Sequence, residues 1–362
     1  MKSIRVAGIA AAVSITMVSG AAFAAEESSL AYLAENMPGV DAALVDQACA
    51  EGKLVIYHGA WPQAQKSQIE AFTEAFPCIE VETFSAGVGE LRERLLSEQR
   101  AGRQYADIYQ DTDTATLEKM AEQGLVAEYR VHSDALFGDD EKGAGGSWYP
   151  LRRAFIGIAW NEDLVSEEDA AKLASWTGIA EPIWKDRAIV VDPTAGGVGY
   201  LPMYYLHKEY GADLFEKIGK NEPRIVTGIN NAVASLASGD VSIIFNASET
   251  GLLPMYEKGA PIRWSIPEPA IGPITGQIVL SKAAHPAAAR LYQEFAFSKA
   301  GYGAWQQFGG APINSNFEDL REVAAEDWYT IPETKFVYRQ ADANAAKDAV
   351  LVDFNKYIAT TR

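Results

Sequence analysis

The chain has 362 residues and carries 49 acidic against 31 basic side chains, which gives a formal net charge of −18. A chain this acidic lacks the basic surface that binds nucleic acid, and it is poorly suited to anionic lipid surfaces. Its length suggests two domains or one large α/β unit.

The N-terminus predicts secretion. Lys2 and Arg5 precede the apolar stretch Val6–Val18, and Ala22-Phe23-Ala24 offers a small-x-small cleavage site. This order is typical of a signal peptide, here residues 1–24. A membrane anchor is the alternative, but the apolar stretch is shorter than the ~20 residues that span a bilayer. We therefore expect a periplasmic mature protein without stable membrane insertion.

The chain has two cysteines, and their positions predict a disulfide. Cys49 precedes the predicted strand Leu54–Tyr57, and Cys78 precedes the predicted strand Ile79–Thr83. If these strands are parallel neighbours, both cysteines lie at the same sheet edge, and an oxidising compartment favours their pairing. The four histidines are scattered without the spacing of metal ligands, so neither a metal site nor a cofactor is expected.

Strand and helix patterns alternate through the first half of the chain. Strands are predicted at Lys53–Tyr57, Ile79–Phe84 and Ala106–Gln110, each followed by a helical pattern. This alternation predicts an α/β fold with mostly parallel sheets flanked by helices. Ligands of such sheets bind beyond the carboxyl ends of the strands. The candidate ligand-binding residues in the turns that follow these strands are Trp61, Ser85, Gly87 and Asp113.

A second α/β unit is predicted after a long strand at Ala154–Trp160. Its Gly-rich turn follows the predicted strand Ala188–Val191 and opens a helix, which directs free N–H groups and a positive dipole end towards one point. No phosphate-loop lysine follows, and the spacing is not GxGxxG. The turn suggests capture of a small polar ligand, and a tight turn that needs glycine only for packing is the alternative. The candidate residues of this unit are Thr194, Gly196, Gly197, Tyr200, Asn246 and Glu249.

The order of these segments resembles a known family. The matching segments include EGKLVIYHGA, RRAFIGIAWNEDLV, IWKDRAIVVDPTAGGVGY and AVASLASGDVSIIFNASETG. They are similar to periplasmic solute-binding proteins of ABC importers, in the branch that includes iron(III), thiamine, phosphonate and polyamine binders. The resemblance implies the two-lobed fold of type II, with crossing strands near Ala154–Trp160 and Ile266–Gln277. Residues 25–154 and 272–362 would form lobe 1, and residues 155–271 would form lobe 2.

The resemblance also implies how the protein works. A small ligand would bind between the lobes of a monomer and pass to the transmembrane subunits of an ABC permease. An organic anion or zwitterion is the expected ligand, because Arg152 or Arg153 near the hinge could hold an anion in a bidentate manner. Either arginine could instead form a salt bridge. Trp61 could stack on the ligand or simply pack as a lid.

Iron(III) is the alternative ligand. The iron(III) subgroup places two adjacent tyrosines just after the strand equivalent to VSIIFN, where this chain has Glu249 and Thr250. The tandem pair Tyr204-Tyr205 lies in another predicted helix and is expected in the core. A ligand-binding protein that feeds a sensor is a further alternative. No catalytic motif of the GxSxG or HExxH type occurs, so an enzyme is not expected.

Overall fold

A computed structural model of the chain describes residues 27–59, 62–195, 197–306, 308 and 310–359. The predicted signal peptide, Trp61 and Gly196 lie outside the described residues. Two five-stranded sheets form the framework, each flanked by helices.

The first sheet combines three early strands with two from later in the chain. Its strands are β1 (Lys53–His58), β2 (Glu80–Ser85), β3 (Ile108–Asp111), β4 (Tyr149–Arg153) and β10 (Ile274–Val279). Their spatial order is β2-β1-β3-β10-β4. The three early strands run parallel, whereas β10 is antiparallel to both of its neighbours.

Seven helices accompany the first sheet and together with it form lobe 1. They are α1 (27–36), α2 (Ala42–Glu51), α3 (Pro62–Ala75), α4 (Val88–Arg100), α5 (Thr114–Glu122), α10 (Pro286–Ala296) and α11 (Lys299–Gln306). The apolar faces of α1, α2, α3, α10 and α11 share a core with β1 that includes Phe72, Phe76 and Phe295. Helices α4 and α5 pack in a separate core with Tyr57 of β1. The predicted disulfide is present, with the sulfur atoms of Cys49 and Cys78 2.05 Å apart.

The second sheet repeats this arrangement. Its strands are β5 (Ile156–Asn161), β6 (Ala188–Val191), β7 (Arg224–Val226), β8 (Ile243–Ser248) and β9 (Ile262–Ser265). Their spatial order is β7-β6-β8-β5-β9. In each sheet only two of the four neighbouring strand pairs are parallel, so the sheets are mixed rather than mostly parallel.

Lobe 2 consists of the second sheet and the helices packed around it. These are α6 (Glu167–Lys172), α7 (Gly197–Lys220), α8 (Ile229–Ala237), α9 (Glu249–Tyr256) and α12 (Gln340–Tyr357). The placement of α12 differs from the expectation that residues 272–362 belong to lobe 1. Its Val350 and Phe354 share a core with Phe215 of α7, because a helix joins the lobe that buries its apolar face.

The predicted strand at Ala154–Trp160 corresponds to β5, and the chain crosses between the lobes just before it. β4 ends at Arg153 in the first sheet, and β5 starts at Ile156 in the second. The chain crosses back between β9 and β10. Both strands are wholly buried, and the two arginines that end β4, Arg152 and Arg153, lie at the boundary between the lobes.

Candidate functional site

The carboxyl ends of the strands in lobe 1 meet at one sheet edge. Because β1, β2 and β3 are parallel, they end together at His58, Ser85 and Asp111. β4 runs in the same direction, since β10 lies antiparallel between it and β3. Arg153, the last residue of β4, therefore joins this edge close to the crossing into lobe 2.

Lobe 2 presents its own carboxyl edge at the same crossing. β6, β7 and β8 are aligned by their parallel pairing and end at Val191, Val226 and Ser248. Ile156, the first residue of β5, pairs with Ser248. The two carboxyl edges are thus joined through the short link between β4 and β5, which is the hinge geometry that places a ligand between lobes.

A third segment crosses the hinge. We call residues 311–339 the C-terminal strap. Its Ile313 and Phe317 belong to the core of lobe 1, whereas Val323 and Phe336 belong to cores of lobe 2. The strap also pairs with the β9–β10 crossing, since the amide of Phe336 donates to the carbonyl of Ala270 at 2.9 Å.

A cavity of about 210 Å³ lies between the two lobes at this hinge. Thr114, Trp148 and Arg153 line it from lobe 1, and Phe336 and Tyr338 of the strap line it from the side packed on lobe 2. The remaining lining residues are Glu118, Asp139, Asp140, Lys142, Ile274, Val337 and Arg339.

Arg153 is a buried cation with weak internal partners. Arg153 is 4% exposed to solvent. Its Nη1 lies 3.5 Å from the carbonyl oxygen of Gly272, and its Nη2 lies 3.9 Å from Oε1 of Glu141. Within the described part of the chain, its Nε has no hydrogen-bond acceptor. Burial lowers the pKa of Arg153, and the charge of Glu141 opposes that shift.

Arg152 also lies at the hinge, on the opposite face of β4, because adjacent strand residues point to opposite sides. It is 6% exposed and opposite Thr275 in the sheet. Burial lowers its pKa to about 9. It does not line the cavity that borders Arg153.

Tyr338 of the strap lies near two residues of lobe 1. Burial raises its pKa, the positive charge of Arg153 opposes the shift, and the negative charge of Asp113 adds to it. Asp113 caps α5, where its carboxylate accepts from the amide of Thr116 at 3.4 Å. Arg153 and Tyr338 therefore line the same cavity, whereas Asp113 does not line it.

A larger cavity, about 560 Å³, adjoins the first and shares Asp140 and Val337 with it. Lys335 lines it together with several carboxylates. Burial lowers the pKa of Lys335, and the charge of Arg153 lowers it further. The cations of the two cavities thus lie close enough to repel each other.

Three residues predicted to bind ligand make internal contacts instead. Asn246 is fully buried, and its amide hydrogen-bonds to the amide and carbonyl of Val191 at 2.8 and 2.9 Å. The hydroxyl of Tyr200 donates to the carbonyl of Ala343, which holds α12 on α7. A ligand could reach neither group without breaking these contacts.

Glu249 is the third of these residues. It is 1% exposed and accepts from Trp264 Nε1 at 3.0 Å and from the Tyr329 hydroxyl at 2.6 Å. Its other oxygen lies 3.4 Å from Nη1 of Arg321. Three strap and strand residues thus satisfy the carboxylate of Glu249 within the protein, and a role for it in ligand binding stays a prediction.

The predicted turn residues are open to solvent and lie apart from the cavity. Ser85, Gly87 and Thr194 are exposed, and Thr194 donates to the side chain of Asp192. Gly197 opens α7. These turns flank the cleft, and their role in ligand binding stays a prediction.

Sequence reasoning missed Trp148, Phe336 and Tyr338. Trp148 lies in a stretch that interrupts the α/β alternation, and the other two belong to a strap with no repeating pattern. Only their aromatic character could have drawn attention to them. Among the described residues, no group of three or more His, Cys, Asp or Glu side chains could hold a metal ion.

Comparison with known proteins identifies the family. Residues 54–310 match the family of bacterial extracellular solute-binding proteins. The chain belongs to this family. In a comparison of whole sequences, no curated protein matches this solute-binding protein.

Solved structures share the fold of this solute-binding protein. Iron-bound HitA from Pseudomonas aeruginosa is 20% identical, with a TM-score of 0.65 over 82% of this chain and 99% of that chain. The fructose-6-phosphate complex of AfuA from Actinobacillus pleuropneumoniae is 18% identical, with a TM-score of 0.61 over 85% of this chain and 99% of that chain. The iron and citrate complex of IdiA (FutA) from Trichodesmium is 16% identical, with a TM-score of 0.67 over 83% and 99%.

None of the helices in the described part of the chain is both long enough and apolar enough to span a bilayer.

Proposed function

We propose that this solute-binding protein is the periplasmic ligand-capturing subunit of an ABC importer, and that its ligand is a small organic anion or zwitterion. The single observation that supports the ligand class most directly is Arg153. It is a buried guanidinium at the wall of an inter-lobe cavity, and its contacts within the protein are long.

A bound anion would remove the energetic cost of this arrangement. A buried charge is unfavourable unless it is paired and hydrogen-bonded. The nearest carboxylate, Glu141, lies 3.9 Å from Arg153 and already accepts from the Gly138 amide and from Asn314. A ligand carboxylate could instead form two short charge-assisted bonds with the guanidinium.

The hinge supports a mechanism of capture by closure. The cavity has walls from both lobes, so closure buries the ligand from two sides, and opening at the permease releases it. Because the ligand contacts both walls only in the closed form, it shifts the population towards that form. The permease then distinguishes loaded from empty protein by its shape.

Iron(III) is a second candidate, because HitA and IdiA (FutA) hold iron in their structures. The tyrosine pair of this chain does not favour it. Tyr204 and Tyr205 are each 6% exposed and belong to the core around α7. Purified protein with tyrosinate-bound iron would be red and would lose its colour on chelation, so a colourless protein that gains no stability from iron(III) contradicts this candidate.

A thermal-shift screen tests the proposed ligand class. The mature protein is heated with carboxylates, phosphonates, amino acids, polyamines, thiamine and iron(III) with and without carbonate, and we expect stabilisation by an anion or zwitterion. Arg153→Gln should abolish the shift. Arg263→Gln is the matched control, because Arg263 is half exposed and pairs with Glu162 at 2.7 Å.

Transport separates an importer subunit from a sensor subunit. A strain that lacks this protein should lose uptake of the ligand found in the screen, and the wild-type gene should restore it. Binding without any defect in uptake would favour a sensor partner, and stabilisation by cations alone would contradict the proposed ligand class.

A further inference from the structure

The cavity at Arg153 has aromatic walls on both sides of the hinge. Trp148 contributes from lobe 1, and the strap contributes Phe336 and Tyr338. The rings of Phe336 and Tyr338 are stacked, with centroids 5.7 Å apart and planes 18° apart. The ring of Phe336 also packs against the ring of Tyr205 of α7, with centroids 4.8 Å apart. The strap therefore contributes two packed aromatic side chains to the cavity wall, and its Phe336 is anchored in lobe 2.

Two buried donors on these walls have no partner within the described residues. They are Nε of Arg153 and the indole N–H of Trp148, and both residues are 4% exposed. Buried donors in native proteins are nearly always satisfied. Nε1 of Trp148 lies beside Gly143, which does not line the cavity, so a ligand with acceptor oxygens would pair with the guanidinium of Arg153.

The size of the cavity limits the ligand. A volume of about 210 Å³ equals that of roughly seven water molecules. This is below the usual range for drug-sized ligands, roughly 300–1,000 Å³. A molecule with one ring and a few substituents matches it.

The charges around the cavity limit the ligand further. Arg153 is buried, whereas Glu118, Asp139 and Asp140 are exposed lining residues. Two other cations line the cavity, but Lys142 is already paired with Asp134 at 2.8 Å, and Arg339 is exposed to solvent. One anionic group can pair with Arg153, but a second one would face these carboxylates. The arrangement thus favours a single negative charge, directed towards the buried guanidinium.

We propose that the ligand is a flat, one-ring organic acid with a single negative charge, and that Tyr338 and Phe336 of the strap determine this specificity by enclosing its ring. This inference rests on the proposed function. It assigns the lobe 2 half of the site to the strap rather than to the turns that follow β6 and β8. Aromatic faces attract planar groups in stacked or edge-to-face contact.

Isothermal titration with defined probes tests this. The probes are benzoate and 4-hydroxybenzoate as aromatic monoanions, hexanoate as an aliphatic monoanion, phthalate as a dianion and benzylamine as a cation. We expect at least one aromatic monoanion to bind at least tenfold more tightly than hexanoate and phthalate, and benzylamine not to bind.

Variants of Tyr338 test whether the strap causes the preference for aromatic monoanions. Tyr338→Ala should weaken binding of the aromatic monoanion about tenfold and change the affinity for hexanoate less than threefold. Tyr338→Phe should retain the wild-type affinity, because it keeps the ring. Tyr105→Ala is the matched control, since Tyr105 is 51% exposed and lines a different cavity. Melting temperatures of all variants check that they fold.

The outcomes distinguish this inference from the proposed function. If another anion binds through Arg153 while benzoate and 4-hydroxybenzoate do not bind at millimolar concentration, the inference is overturned and the proposed function stands. Equal affinity for hexanoate, or an unchanged affinity in Tyr338→Ala, also overturns the inference. If no solute of the wider screen binds, the proposed function itself fails.

Discussion

Two buried arginines at the hinge differ in how their charge is satisfied. Arg321 of the strap is 6% exposed and Arg153 of β4 is 4% exposed. Arg321 donates to both carboxylate oxygens of Asp319, at 2.8 and 2.6 Å, and to the hydroxyl of Tyr329 at 2.5 Å. Its Nη1 also lies 3.4 Å from Oε2 of Glu249. Among the residues that the structure describes, Arg153 has the two long contacts given above.

The pKa shifts express the same difference. The pKa of Arg321 is raised, because the charges of Glu249 and Asp319 outweigh the effect of burial. The pKa of Arg153 is lowered, because burial outweighs the charge of Glu141. We infer that Arg321 stabilises the fold, whereas Arg153 is available to a ligand. The predictions below test this division of roles.

The largest expected effect is on stability. Arg321→Met leaves the buried carboxylate of Glu249 without its cation and should lower the free energy of unfolding by about 3–5 kcal/mol. Urea denaturation measures this. The double variant Arg321→Met with Glu249→Gln should recover part of the loss, because Glu249 then carries no buried charge and only the partly exposed Asp319 has lost its cation. A loss below about 1 kcal/mol would show that this pair contributes little.

Arg153→Gln should weaken ligand binding without lowering the stability of the protein. Affinity for the identified ligand should fall at least roughly tenfold, about 1.4 kcal/mol, while the free energy of unfolding should stay the same or rise, since a desolvated charge is removed. Titration calorimetry and urea denaturation measure the two quantities. Arg153→Lys should restore only part of the affinity, because an ammonium cannot form the bidentate pair. Retained binding together with a large loss of stability would reverse the roles assigned to the two arginines.

Gly272→Ala should disturb Arg153 without removing it. A Cβ at Gly272 would lie 2.8 Å from Cγ of Arg153 and 3.0 Å from the carbonyl oxygen of Ala154, so the arginine must shift. We expect the affinity for the ligand to fall by roughly threefold to tenfold, which is a loss of at most about 1.4 kcal/mol of binding free energy. Gly89→Ala is the control, because its Cβ would meet nothing within 4 Å. Equal affinities in both variants would show that the exact position of Arg153 is unimportant.

The smallest expected effect is a pH dependence at Lys335. Its pKa in the folded protein is below the ordinary 10.5, so the unfolded chain binds more protons between the two values. The contribution of Lys335 to the free energy of unfolding should therefore increase as pH rises through this window. Denaturation of wild type and Lys335→Met at several alkaline pH values measures it. Arg153→Gln should shrink the slope, since the charge of Arg153 is part of the cause, and an unchanged slope in both variants would contradict this coupling.

The sequence predicted much of the framework. The strand patterns placed β1, β2, β3 and β6 within a residue or two. These features depend on side-chain alternation and local hydrogen bonds, which neighbouring residues encode. The crossing between β4 and β5 lies where the family resemblance placed it, near Ala154, although the strand pattern alone does not mark a change of sheet there.

The candidate site was less predictable. Asn246 and Glu249 follow the rule that polar residues at carboxyl ends bind ligands, yet both are satisfied internally. The partner of Glu249 is Arg321, 72 residues away. The strap contributes Phe336 and Tyr338 without a helical or strand pattern that could have indicated a role.

The sequence by itself therefore determined the alternation of strands and helices, the pairing of Cys49 with Cys78 and the two carboxyl edges, because each depends on residues close in the chain or on strand order. Only the tertiary structure decided which polar groups at those edges remain available. Availability depends on long-range contacts. They satisfy Arg321 and leave Arg153 with weak partners at the inter-lobe cavity.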